Sequence, residues 1–89
     1  MAIQIEDRSN EFGTYGNLGN AYYSLGNFKK AIDYHELSLQ IATEVKDRAG
    51  EGRAYGRLGD AYYSIGNFKK SIDCHIQQLC IAKEVRDKN

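Results

Sequence analysis

The sequence predicts an all-α fold in which antiparallel helix pairs stack side by side, and three observations lead to this prediction. Residues 7–46 and 47–86 are near copies of each other at a spacing of 40 residues. Apolar residues recur in each copy at steps of three and four, which is the period of one helix face. The chain also contains no proline. Self-similarity at such a period is typical of repeat proteins, in which each unit buries its apolar face against the next.

Each copy divides into two helices joined by a short turn. In the first copy, one face of the opening helix carries the apolar residues Tyr15, Leu18, Tyr22 and Leu25. Gly26 is predicted to end this helix, because glycine readily takes the left-handed conformation at the C′ position, and Asn27 is predicted to cap the next helix. Without proline to stop them, the second helices are expected to run to about Lys46 and Arg86.

These boundaries divide a single domain, residues 1–89, into three parts. Residues 9–46 form a first repeat and residues 47–89 a second, with joints expected at Asp7–Asn10 and Asp47–Gly50. Residues 1–8 align with residues 41–48 and 81–88, so we interpret them as the tail of a preceding second helix. The chain is therefore expected to be a piece of a longer array.

Glycine is unusually frequent in the first helices. Gly13, Gly16 and Gly19 lie three residues apart within one helix, and each costs about 0.5–1 kcal/mol relative to alanine. Such a helix is not stable alone in water. We therefore expect it to form by packing, with another backbone approaching the glycines closely.

Composition and charge argue against several classes of function. The formal net charge is zero, whereas a nucleic-acid-binding surface normally carries a basic excess, so neither nucleic acid nor a membrane is expected as a partner. Cys74 and Cys80 lie six residues apart on one helix and point in different directions, so they cannot pair. The sequence shows no signal peptide or transmembrane run, which favours a reduced, cytoplasmic setting. No metal or cofactor site is predicted.

No catalytic arrangement is predicted either. His35 and His75 follow Asp33 and Asp73 by two residues, but side chains two apart on a helix do not face each other. His35 occupies a core position, so a partly buried, hydrogen-bonded histidine is favoured over a metal ligand or a general base. The chain is therefore not expected to be an enzyme.

The two copies resemble the tetratricopeptide repeat. Its signature is matched in the first copy by Tyr15, Leu18, Gly19, Tyr22, Gly26, Phe28 and Ala31, and in the second by Tyr55, Leu58, Gly59, Tyr62, Gly66 and Phe68, with Ser71 in place of the alanine. The period of 40 residues exceeds the usual value of about 34, and phrases such as YGNLGNAYY and LQIATEVKDR are similar to those of the Pins-type cell-polarity adaptors. This resemblance implies a right-handed α-solenoid whose first helices line a concave groove for an extended peptide or a partner helix.

The resemblance also implies which residues face that groove. They lie one position after the glycine of each Leu-Gly pair, three to four positions further on, and upstream in the same helix: Asn17, Asn20, Tyr23, Ser24, Arg53, Arg57, Asp60, Tyr63 and Ser64. Asparagine can both donate to and accept from a peptide backbone, and arginine can hold a carboxylate with two hydrogen bonds. Gly16 and Gly56 stand where some cochaperones of this family carry a lysine for a C-terminal carboxylate, so a clamp of that kind is not expected.

Two hypotheses about function remain open. The first is a non-enzymatic binding module that holds a peptide or helix of a cytoplasmic signalling or polarity protein in the groove. The second is a structural, self-associating element, because two units fall short of the roughly three needed for a stable array. In addition, Ile72, Ile76 and Leu79 leave an apolar face open, and such faces commonly mark interfaces. This second hypothesis predicts a homodimer formed by end-to-end stacking or helix exchange.

Overall fold

The computed structural model describes residues 5–87, which form four helices. In chain order these are α1 (Ile5–Ser24), α2 (Phe28–Glu44), α3 (Arg48–Ser64) and α4 (Phe68–Asp87). No strand occurs within the described range, and the prediction of an all-α helical repeat is confirmed. Consecutive helices pack against each other, and α1 also contacts α3. Because only three residues join each helix to the next, packed neighbours run antiparallel.

The turns within the helix pairs follow the predicted glycine and asparagine chemistry. Gly26 and Gly66 have φ values of +81° and +83°, a left-handed conformation that glycine adopts without steric penalty. The backbone N–H of Asn27 donates to the carbonyl of Tyr22 at 2.9 Å, which closes the end of α1. The Asn27 side chain in turn accepts a hydrogen bond from the backbone N–H of Lys30 at 3.3 Å, so it caps α2 as predicted.

The turn between the two copies uses a different residue. Lys46 takes a φ of +61°, so α2 ends at Glu44, two residues before its predicted boundary. The Asp47 side chain accepts a hydrogen bond from the backbone N–H of Gly50 at 2.9 Å and thereby caps α3. The last helix, α4, ends within one residue of its predicted boundary.

The joint expected at Asp7–Asn10 lies within α1 and stays a prediction. Helix α1 is continuous from Ile5 to Ser24, and no described residue before Gly26 takes a positive φ like that of Lys46 at the end of α2. The assignment of residues 1–8 to a preceding repeat stays a prediction, and residues 1–4 lie outside the described range.

The core lies where α2 meets α3, at the junction between the two copies. Ile32, Leu58 and Ala61 are only 8%, 3% and 0% exposed there, and Leu39 and Tyr62 pack against them. Fully burying a leucine or isoleucine side chain contributes about 1.5–3 kcal/mol. This junction therefore holds the second copy against the first.

The two cysteines are free thiols, as predicted. Cys74 packs against the core at the junction and is partly buried, whereas Cys80 is exposed. Burial, and after it the negative charge of Asp73, raises the pKa of the Cys74 thiol. The two thiols thus differ in chemical environment.

The buried glycines of the first helices face side chains, so the expected approach of a second backbone is wrong. A Cβ atom at Gly19 would lie 2.6 Å from Nε2 of His35, and one at Gly59 would lie 2.5 Å from Nε2 of His75. At both positions an imidazole from the second helix occupies the space that a side chain would take. Gly13, by contrast, has no neighbour within 4 Å of its would-be Cβ.

An arginine joins the two helices of each copy at the end opposite the turn. Arg8 pairs with Glu11 of its own helix at 3.2 Å and with Glu44 at the end of α2. Arg48, its equivalent in the second copy, pairs with Glu84 of α4 at 2.7 Å. Each helix pair is thus held at one end by its three-residue turn and at the other by an ion pair.

Candidate functional site

The first helices of the two copies lie side by side, and the side chains that the sequence assigns to a groove are found on them. All nine are solvent exposed. Those that line cavities between the helices are Asn17, Asn20, Tyr23, Ser24, Arg53, Arg57 and Asp60. We use the term groove for the surface formed by Asn17, Asn20, Arg53 and Arg57 with His35 beneath them.

A cavity of about 160 Å³ lies in the groove between α1 and α3, and we call it the α1–α3 cavity. Asn17 and Asn20 line it from α1, Arg53 and Arg57 line it from α3, and His35 lines it from α2. No carboxylate from the described residues is among its lining groups. Amide, guanidinium and imidazole groups therefore determine what this cavity can hold.

The two arginines of the groove are available to a ligand. Within the described range, neither Arg53 nor Arg57 forms an ion pair. The Arg53 guanidinium carbon lies 5.8 Å from the centroid of the Phe12 ring, which is within the range of a cation–π contact. Residues four apart on a helix are neighbours on its surface, so the two guanidinium groups form one cationic wall suited to a carboxylate.

A second cavity, of about 140 Å³, adjoins the first through Asn20, His35 and Arg57, which line both. Tyr23 and Asp60 are among its other lining residues. Here the Tyr23 hydroxyl lies 3.1 Å from the Ser64 hydroxyl, so a hydrogen bond between two predicted groove residues links α1 to α3.

Tyr63 is not brought together with the other groove residues. Its side chain is 65% exposed, and its ring packs edge-on against Phe68 with the centroids 5.1 Å apart. The equivalent Tyr23 packs on Phe28 in the same way, at 5.2 Å. Tyr23 differs because α3 lies beside it and supplies Ser64 as a partner.

His35 forms the floor of the groove. It is 2% exposed, in agreement with its predicted core position. It forms no hydrogen bond with another described residue, and its ring nitrogens are open to solvent, since no buried side-chain nitrogen or oxygen of the described residues lacks a partner. Burial, and after it the positive charge of Arg57, lowers the pKa of His35 below its ordinary value of 6.5. The neutral imidazole is therefore favoured when the groove is empty.

His75, the equivalent residue of the second copy, has polar partners. Its Nδ1 lies 3.1 Å from Oε1 of Gln78, and its Nε2 lies 3.4 Å from Oδ1 of Asp60. These three residues, with Arg53 and Arg57, line a further cavity of about 350 Å³ between α3 and α4. The two imidazoles thus occupy equivalent positions with different surroundings.

The sequence prediction missed the contribution of the second helices to the groove. The resemblance implies a groove lined by the first helices, α1 and α3, whereas His35 and Ser38 of α2 also line the α1–α3 cavity. The signal that was available is the 40-residue register, in which a histidine and a glycine recur together as His35 with Gly19 and His75 with Gly59.

Two kinds of site are absent from residues 5–87. No group of three or more side chains able to hold a metal ion is gathered there. None of the helices in that range combines the length and the apolar character needed to cross a bilayer.

Comparison with known proteins supports the repeat assignment. A family model described as tetratricopeptide repeat matches residues 10–84. None of the curated proteins with which the chain was compared matches it. Repeats of this family generally mediate interactions between proteins, and the family is in general a non-enzymatic scaffold.

Proposed function

Because this chain belongs to the tetratricopeptide repeat family, we propose that it is a non-enzymatic module that binds a peptide or helix of a partner protein in the groove. The resemblance of its 40-residue repeats to those of the Pins-type adaptors supports a partner drawn from a cytoplasmic signalling or polarity complex. The predicted groove residues are proposed as the contact surface.

One observation carries this proposal. The α1–α3 cavity has two asparagines on one wall and two arginines without ion pairs on the other, with no carboxylate from the described residues among them. Asn17 and Asn20 can donate to and accept from a peptide backbone without requiring a particular side chain. Arg53 and Arg57 can hold carboxylates. The arrangement suits an extended segment that is rich in aspartate or glutamate.

Selection from a random library of short displayed peptides tests the proposal. We expect the folded chain to enrich peptides that contain more aspartate and glutamate than the unselected library. The double variant Asn20→Ala with Arg57→Ala should bind the enriched peptides about tenfold or more weakly, since each removed group loses a hydrogen bond to the ligand. Lys29→Ala is the matched control, because Lys29 is an exposed cation on α2 that lines none of the cavities described above.

Two results would contradict this function. One is a selection that enriches no peptide over the library. The other is an enriched peptide whose affinity is the same for the double variant and for the unmodified chain, since its binding site would then lie outside the groove.

A second candidate function is self-association, and the apolar face of α4 favours it. Ile72, Ile76 and Leu79 are 59%, 52% and 56% exposed. The equivalent of Ile72 in the first copy, Ile32, is only 8% exposed, because the junction with α3 buries it. The open face of α4 therefore corresponds to the face of α2 that α3 covers.

Helix α1 carries the residues that could cover this face in a second copy of the chain. Leu18 and Ala21 stand at the positions of Leu58 and Ala61, which are the α3 residues buried at the junction. A second copy could therefore place its α1 on α4 in the way that α3 lies on α2. We propose a homodimer formed by this end-to-end stacking.

Sedimentation velocity over a range of protein concentrations tests this second function. We expect a dimer at high concentration, followed by larger species because a head-to-tail contact leaves one α1 and one α4 uncovered. Ile72→Gln should be a monomer, because the substitution puts an amide in the apolar contact. Lys83→Gln, an exposed change on the same helix, should leave the dimer intact. A chain that stays monomeric at every concentration would rule the dimer out.

A further inference from the structure

We propose that the α1–α3 cavity holds one carboxylate side chain of the partner, from an aspartate or a glutamate, against the imidazole of His35. This inference rests on the proposed function of the groove and specifies one ligand group within it. It comes from comparing the two copies in register, because the second copy carries internally the carboxylate that the first copy lacks.

In the second copy, an aspartate on the first helix lies beside the histidine of the second helix. Oδ1 of Asp60 on α3 lies 3.4 Å from Nε2 of His75 on α4. The other ring nitrogen, Nδ1, lies 3.1 Å from Oε1 of Gln78. Both nitrogens of this imidazole thus have an oxygen atom nearby.

In the first copy, both of these partners are replaced. Asn20 stands at the position of Asp60, and Ser38 stands at the position of Gln78. The Ser38 hydroxyl donates its hydrogen bond to the carbonyl of Phe12 at 3.1 Å. His35 is left at 2% exposure without a hydrogen bond to the described residues. Since none of the buried side-chain nitrogen and oxygen atoms of the described residues lacks a hydrogen-bond partner, the unpaired ring nitrogens of His35 are open to the water of the cavity, where a carboxylate of the partner can reach them.

The two imidazoles are placed alike relative to the first helices. The space that a Cβ atom would take at Gly19 is 2.6 Å from Nε2 of His35, and the matching distance from Gly59 to His75 is 2.5 Å. A carboxylate placed beside Asn20 would therefore meet His35 as Asp60 meets His75. The cavity of about 160 Å³ can accept such a group, since one water takes up about 30 Å³ of the liquid.

The charges around His35 favour an anion at this place. From α3, Arg53 and Arg57 line the α1–α3 cavity, and Asp60 lines the adjoining one. From α1, the titratable group that lines a cavity with His35 is Tyr23. Asp60 is not among the residues that line the α1–α3 cavity and lies close to His75, so the charged groups that line this cavity are cationic.

A carboxylate bound there would couple binding to protonation. In the free chain, burial and the charge of Arg57 lower the pKa of His35, so the imidazole is neutral near pH 7. An adjacent carboxylate stabilises the charged imidazole and raises this pKa. The complex then takes up a proton, and affinity should rise as the pH falls from above the His35 pKa of the complex towards that of the free chain.

The Asn20→Asp variant tests the site without any peptide, because it supplies the carboxylate from the chain itself. NMR of the imidazole resonances should show His35 titrating at a pH higher by about one unit or more than in the unmodified chain, which corresponds to a tenfold stronger preference for the proton. Gln40→Glu, which adds the same charge at an exposed position on α2, should leave the His35 resonance almost unmoved. A His35 titration that is the same in Asn20→Asp as in the unmodified chain would overturn the proposal, whatever the groove binds.

A second experiment uses the peptides enriched from the library. They are synthesised with an amidated C-terminus, so that only side-chain carboxylates remain. Replacing each aspartate by asparagine and each glutamate by glutamine, one at a time, should identify one position that costs about tenfold in affinity. This cost should vanish in Asn20→Asp, because the site is then filled. The rise in affinity at low pH should be lost in His35→Gln and kept in His75→Gln.

The outcomes separate this inference from the proposed function. Peptides that bind in the groove yet tolerate every single replacement would overturn the carboxylate site and leave the groove function standing. If no peptide is enriched, the groove function fails, and the titration of His35 in Asn20→Asp still decides whether the cavity accepts a carboxylate.

Discussion

The hydroxyl of Tyr23 on α1 lies 3.1 Å from the hydroxyl of Ser64 on α3, and this hydrogen bond crosses from one copy to the other at the edge of the groove. Ser64 also donates to the carbonyl of Asp60 in its own helix at 3.1 Å. The bond therefore ties the first helix of one repeat to the backbone region of the next.

Removing this bond should have a small, measurable cost. Tyr23→Phe deletes the hydroxyl and leaves the ring on Phe28, so we expect the free energy of unfolding to fall by about 0.5–1 kcal/mol. Tyr63→Phe is the matched control, because the Tyr63 ring has the same contact with Phe68 and its hydroxyl has no hydrogen bond to the described residues. Chemical denaturation measures both. Equal losses in the two variants would mean that the hydroxyl pair contributes nothing.

Adding a methyl group to the glycines of the first helices should give three different results. Gly19→Ala places its Cβ against the buried His35 ring, so we expect a loss of about 1–3 kcal/mol in the free energy of unfolding. Gly59→Ala meets His75 in the same way but should cost less, since the His75 side chain is 42% exposed and can move. Gly13→Ala, with no neighbour within 4 Å, should stabilise the chain by about 0.5–1 kcal/mol. Thermal and denaturant unfolding measure these changes. An unchanged free energy of unfolding for Gly19→Ala would contradict this account.

The buried imidazole should make stability depend on pH. The pKa of His35 is lowered in the folded chain, so below about pH 6.5 the unfolded state binds more protons at this residue. The free energy of unfolding should therefore fall as the pH drops through 6.5, by up to about 1.4 kcal/mol per pH unit until the lower folded pKa is reached. In His35→Gln this fall should be smaller than in the unmodified chain. His75→Gln is the control, which shows whether removal of the other histidine has the same effect. Identical pH profiles for His35→Gln and the unmodified chain would refute the assignment.

The two thiols should differ in reactivity. Cys80 is exposed, while Cys74 is partly buried and its thiol pKa is raised by burial and by Asp73. Because the thiolate is the reactive form, a disulfide reagent at neutral pH should label Cys80 faster than Cys74. The single variants Cys74→Ser and Cys80→Ser assign the two rates. A faster reaction at Cys74 would show that the junction between the copies opens often.

The sequence predicted most of the helix framework because local chemistry decides it. Gly26 and Gly66 end the first helices in the left-handed conformation, and Asn27 caps α2, as the residue types require. The end of α2 was less predictable, since Lys46 takes a positive φ of +61° that lysine seldom adopts. The joint expected at Asp7–Asn10 lies within α1, since sequence equivalence to a turn does not by itself create one.

Only the part of the candidate site that lies on α1 and α3 could be predicted from the sequence. The groove positions on α1 and α3 came from the resemblance, and most of them line cavities. The burial of His35 was predicted from its core position, but its place beneath the groove was not, because this depends on how its ring packs against Gly19 of α1 and on Ser38 donating to the Phe12 carbonyl. Both are properties of packing between helices, which a helical period does not encode.

The arginine ion pairs at the free ends of the helix pairs have a consequence for the behaviour of the chain in salt. With Arg8 bound to Glu44 and Arg48 bound to Glu84, each antiparallel pair has a contact at both ends, and an exposed ion pair of this kind contributes little to stability. High salt, which screens exposed charges, should weaken these ion pairs and leave the apolar contact of Ile32 with Leu58 and Ala61 intact. The free ends of the helix pairs should therefore respond to ionic strength, whereas the junction between the copies should not.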